Sequence, residues 1–101
     1  MSARVTYVLK HDIAQTVKEP NGDLREDVIR AAGSEIYVRR TKGKDITEIR
    51  KVADEVAQSY MMISRHTGLS VEDVGDMDVE DIAGVSEVLE SFMPDGLKKD
   101  S

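Results

Sequence analysis

Between Ile63 and Phe92 the chain spells one helix stop and two helix starts, and that punctuation limits the fold more than any other feature. Gly68 stands where a left-handed C-cap is expected, because glycine takes positive φ without a Cβ clash. Ser70 and Asp78 each offer a side-chain oxygen to the free N–H groups of a new helix. Asp73 and Asp81 follow in the first turns, where a carboxylate suits the positive end of the helix dipole. Helices are therefore expected over about 70–76 and 78–93. The stretch is acidic and apolar, has no histidine after His66 and no glycine-rich loop, and reads as a surface for holding another protein.

Upstream the apolar period changes. Val5, Tyr7 and Leu9 alternate with Arg4, Thr6 and Lys10, as in a half-buried strand, and Val8 breaks the alternation as if to face a partner. Pro20-Asn21-Gly22-Asp23 is a turn signal, since Asn and Gly tolerate positive φ. A second extended segment holds Val28 and Ile29, a bulge or break at Gly33, and then Glu35 to Arg39. These predict an antiparallel hairpin or meander within about residues 3–41. A two-stranded ribbon is rarely stable alone, so helices must cover it. One long helix is expected over about 45–67, with Asp45 as N-cap and Glu48 completing a capping box. Ile46, Ile49, Val52, Val56, Tyr60 and Ile63 form its apolar stripe, and Arg50 with Asp54 suits an i,i+4 pair on the outer side. The last helix turns Ile82, Val85, Leu89 and Phe92 to one side and ends at Pro94, leaving 94–101 as a frayed tail. The fold class is α+β in one domain, 1–101: an antiparallel β-hairpin or meander, a long helix, a short helix and a C-terminal helix.

Composition narrows the function. The 101 residues include no cysteine, which excludes disulfides and thiolate zinc sites and fits a reducing cytoplasm. No apolar run approaches the roughly 20 residues that span a bilayer, and the N-terminus lacks a signal-peptide core, so no membrane partner is expected. A net charge of −6 argues against nucleic acid. Aromatic residues make up only 4%, so a partner or a second copy is expected to complete the core. Charge is uneven: Arg39, Arg40, Lys42 and Lys44 form a basic knot, whereas every charged residue from Gly68 to Leu97 is acidic. Such asymmetry suits pairing with an acidic partner or between copies, or else marks two solvated faces.

Tyr60, Met61 and Met62 fall on adjacent faces of the long helix and cannot all enter one core. Methionine adapts to varied surfaces, so with Phe92 and Met93 they are candidate partner-binding residues beside the basic knot; the alternative is core for Tyr60 and one Met. His66 is expected to act as an imidazolium at a helix C-terminus. His11 lies on another element, without metal-ligand spacing. Glu72, Asp73, Asp76, Asp78, Glu80 and Asp81 lack the calcium-loop pattern and are assigned to capping and solubility. No catalytic residue, cofactor or metal is expected.

Two blocks, Glu35-Ile-Tyr-Val-Arg-Arg-Thr-Lys-Gly-Lys-Asp-Ile46 and Ile63-Ser-Arg-His-Thr-Gly-Leu-Ser-Val-Glu-Asp-Val-Gly-Asp-Met-Asp-Val-Glu-Asp-Ile82, lead on to Val88-Leu-Glu-Ser-Phe92. In this order they resemble the tail assembly chaperones of long-tailed phages and prophages, the Mu-like branch in particular. The resemblance runs from about Val5 to Phe92 and rests on the order of short motifs. Two departures stand out: Thr41 and Lys42 replace a proline often found after the arginine-ended strand, and Gln15 to Gly33 is longer than the usual connection. The resemblance implies a non-enzymatic protein of the host cytoplasm that binds the tape-measure protein, and assists tail-tube subunits to assemble around it. It also implies that a longer frameshifted product often accompanies such a chain. The competing reading is a structural or adaptor subunit that assembles through the ribbon edge and its basic and acidic faces.

Overall fold

A computed structural model describes residues 5–94. The expected tail beyond Pro94 and the start of the first strand before Val5 lie outside the described residues. Strands β1 (Val5–Val8), β2 (Ile13–Lys18), β3 (Leu24–Arg30) and β4 (Glu35–Val38) precede helices α1 (Gly43–Arg50), α2 (Glu55–Thr67), α3 (Val71–Gly75) and α4 (Val79–Ser91). Strands first and helices after make the chain α+β.

The strands form one long antiparallel ribbon in two segments. β2 pairs with β3 from Ile13↔Arg30 to Lys18↔Leu24, and β1 pairs with β4 from Val5↔Val38 to Val8↔Glu35. The Leu9 N–H donates to the Ser34 carbonyl at 3.0 Å and the Gly33 N–H to the Leu9 carbonyl at 2.8 Å, joining the segments. The expected turn closes the far end: the Glu19 N–H reaches the Asp23 carbonyl at 2.7 Å, with Gly22 at φ 94°. Between Ile13 and Ala14 the register shifts, because Ile29 is an extra residue on β3; such a bulge bends a ribbon. Gly33, at φ 88°, breaks the ribbon as expected. The longer connection is thus a distal arm, and it contributes to a molecule 54 Å long but only 31 × 24 Å across.

The proximal ribbon alternates as read from sequence. Leu9, Ile36 and Val38 are buried and Tyr7 is half-buried, while Val8 and Tyr37 stay exposed on the outer face. Against the inner face pack Ile63 of α2, Leu69, Val74 of α3, Met77, and Val85 and Leu89 of α4. Each such side chain contributes about 1.5–3 kcal/mol when fully buried.

The helix starts at Ser70 and Asp78 form as the sequence predicts: Ser70 Oγ accepts the Asp73 N–H at 3.0 Å, and Asp78 Oδ1 the Glu80 N–H at 2.9 Å. Gly68 closes α2 in the left-handed conformation at φ 82°.

The expected single long helix is two helices. The chain leaves α1 at Lys51, and Asp54 caps α2 by accepting the Val56 N–H at 2.9 Å. Asp54 therefore takes no place in an i,i+4 pair with Arg50, and Val56, expected in the core stripe, is 59% exposed. The cause is Asp45. Its carboxylate lies 2.9 Å from Arg65 Nε, twenty residues along the chain. In one straight helix that separation would span about 30 Å, so the chain must double back.

Candidate functional site

Two buried carboxylates fix the helical surface. Asp45, expected as an N-cap, instead sits inside the first turn of α1, and Lys42 is the N-cap. Its side chain is fully buried and accepts from Arg39 Nη1 and Nη2 at 2.9 and 2.7 Å, from Arg65 Nε at 2.9 Å and from the Lys42 N–H at 2.8 Å. The Arg39 guanidinium, helped by Lys42 and Arg65 against the cost of burial, holds this carboxyl well below the usual carboxylate range. Arg39 also donates from Nε to the Arg65 carbonyl at 3.0 Å. One acid thus ties the end of β4, the start of α1 and the end of α2.

His66 belongs to this knot, and its expected charge is corrected. The ring is buried, with Nδ1 2.7 Å from the Met62 carbonyl and Nε2 2.8 Å from Thr41 Oγ1. Burial pushes its pKa below the ordinary histidine value, outweighing the Met62 carbonyl. The neutral tautomer that donates from Nδ1 and accepts at Nε2 satisfies both contacts.

Asp81 does the same for α4. Oδ1 accepts from the Tyr7 hydroxyl at 2.8 Å and the Lys10 N–H at 2.9 Å, and Oδ2 from the His11 N–H at 3.0 Å. Burial opposes its charge, yet these donors hold it below the ordinary carboxylate value. Desolvation and the bond to Asp81 push the Tyr7 hydroxyl up to about 12. The Tyr7 ring lies against Gly84, where an added Cβ would overlap it. His11 Nε2 rests 2.8 Å from Glu80, an exposed contact on the same seam that raises the His11 pKa.

On this frame the candidate partner-binding residues divide. Arg39 is spent on Asp45. Arg40 is exposed and lies 5.2 Å above the Phe92 ring, so the basic knot and the end of α4 meet in a cation–π contact. Lys42 and Lys44 are exposed at the start of α1. Tyr60, Met62 and Phe92 are half-buried against one core, and Met61 and Met93 are half-buried as well. Tyr60 packs towards α3, its ring 3.8 Å from where a Gly75 Cβ would stand. None of the five apolar candidates is sealed. Asp45 and Asp81 were legible only as helix-start acids; nothing local shows that distant donors converge on them.

The sequence family described as phage tail assembly chaperone proteins, E, or 41 or 14, matches residues 24–94, more than half of the chain. This chain belongs to that family. Comparison with curated proteins and with solved structures yields no significant match. The matched region starts at the first residue of β3 and carries both buried acids and every candidate partner-binding residue; the donors Tyr7, Lys10 and His11 precede it. Membership of a tail assembly chaperone family implies protein partners in tail assembly. Among the described residues no helix is long and apolar enough to cross a membrane.

Proposed function

We propose that this chaperone, acting without catalysis in the bacterial host cytoplasm, binds the tape-measure protein and assists tail-tube subunits to assemble around it. The supporting observation is that Tyr60, Met61, Met62, Phe92 and Met93 are each only half-buried, three of them against one core, with Arg40 over the Phe92 ring. A tape-measure chain is long, amphipathic and prone to aggregate before the tube encloses it. Its holder needs adaptable apolar contacts, a charged border that keeps the complex dissolved, and release on demand. Methionines supply the adaptability. Affinity near micromolar, roughly −8 kcal/mol, permits exchange, whereas picomolar affinity does not.

The test is co-expression of this chain with the tape-measure protein of the same phage or prophage. The wild type should keep that protein in the supernatant and co-purify with it. Met61→Asp, which places a charge at a half-exposed position, should cut recovery about ten-fold, the effect of about 1.4 kcal/mol, while the chaperone stays folded. A tape-measure protein that is equally soluble without this chain would end the proposal.

A further inference from the structure

The distal arm is a two-stranded sheet among the described residues, so β3 has one unpaired edge. Of its residues only Ile29 is partly covered; Leu24 is 71% and Val28 54% exposed. Edge strands are commonly blunted by charged residues, proline, bulges or shortness; β3 has no proline, its bulge lies at one end, and its charges are of both signs, so a strand of matching charge can still pair with it. An antiparallel ladder spends the polar groups of alternate residues on β2, so β3 can add a strand only with matching residues facing outward. The bulge at Ile29 confines regular pairing to Leu24–Val28.

That segment is complementary to itself. With a two-fold axis at Glu26, Leu24 faces Val28 of the second copy twice, covering two exposed apolar side chains on one face. Arg25, which already holds Asp27 of its own chain at 2.9 Å, faces Asp27 of the second copy twice on the other, so the four charges would alternate in sign. Moving the axis to Asp27 sets Asp27 against itself and loses both apolar pairs. Moving it to Arg25 opposes Arg25 to Arg25 and Asp23 to Asp27. Of these three registers, the Glu26 one alone matches charge with charge and apolar with apolar, at the cost of one Glu26–Glu26 contact on the axis. We infer that two copies of this chain pair β3 to β3 through Leu24–Val28, making a four-stranded sheet across the two arms. The arm lies outside the set of apolar residues assigned to client holding, so dimerisation and client binding are separate properties.

Sedimentation of the full chain over a concentration range tests this, with circular dichroism to confirm that each variant is folded. The wild type should show a reversible monomer–dimer equilibrium. Glu26→Gln removes the repulsion on the axis and should tighten the dimer about two- to five-fold. Arg25→Asp should weaken it, and Arg25→Asp combined with Asp27→Arg should restore it, because the swapped pair is again complementary. Val28→Lys should leave monomers. A wild type that stays monomeric at all concentrations overturns the inference, as would be seen if the arm took a strand from another protein. A dimer indifferent to these arm variants overturns it too, and failure of the double swap to restore association overturns the register.

Discussion

Asp45→Asn is the sharpest test of how this small domain is held together. The carboxylate receives three guanidinium N–H groups and one backbone N–H while itself fully buried. Breaking a buried ion pair costs about 3–5 kcal/mol. Here Arg39 and Arg65 remain 39% and 28% exposed, so water takes back part of their charge and the expected loss falls to about 2–3 kcal/mol. Asparagine keeps the size and can still accept from Lys42, but turns an amide N–H₂ towards the guanidinium donors. For a domain stable by about 5–10 kcal/mol, that is roughly a third of the total. At about 4–8 °C per kcal/mol, Tm should fall by about 10–20 °C. Urea unfolding followed by far-UV circular dichroism measures it, with an unchanged m value showing that the native fold persists. The acid limb gives an independent check. The folded pKa of Asp45 lies below its ordinary 3.8, so below that pH the unfolded chain binds more protons and stability falls with pH. The variant should lose stability less steeply below about pH 4. A loss under about 0.5 kcal/mol, or an unchanged acid slope, would refute the reasoning.

Gly84→Ala would gain up to about 1 kcal/mol in an exposed helix, but here the new methyl collides with the Tyr7 ring and the variant should be less stable by about 1–3 kcal/mol, read by thermal unfolding. His66 has a folded pKa below its unfolded 6.5, so unfolding takes up a proton once pH drops under that value; NMR titration should find the folded ring titrating below 6.5, and stability should decline from about pH 6.5 downward. Tyr7→Phe removes the hydroxyl that donates to Asp81 and should cost about 1–2 kcal/mol in urea. The same variant should flatten alkaline unfolding: the wild-type phenol ionises near 12 when folded and near 10 when unfolded, so wild-type stability is lost as pH rises past 10.

What could be read from residues was whatever depends on neighbours along the chain. Gly68, Ser70 and Asp78 act on backbone groups within four positions of themselves, and each does what its chemistry predicts. The alternation of Val5, Tyr7 and Leu9, the Asn21-Gly22 turn and the exposed Val8 follow from the same short range. The arm's register was not legible, because the bulge at Ile29 depends on how β3 leaves the covered ribbon for the open one.

The long helix shows where local reasoning stops. Ile46 to Ile63 keeps helical spacing through the break, so periodicity reports an apolar face and says nothing about whether one axis carries it. Asp54 marks the restart of the helix, but a lone aspartate is as common on a helix surface as at a cap. The sequence alone determined that strands precede helices, the caps at Gly68, Ser70 and Asp78, the α+β class and the family likeness. The tertiary structure alone decided that Asp45 meets Arg39 and Arg65, that Asp81 clasps the ribbon, that burial lowers the His66 pKa, and that Arg40 lies over the Phe92 ring. Those outcomes depend on which distant groups share a desolvated volume, because a buried charge must take its partners from wherever packing brings them.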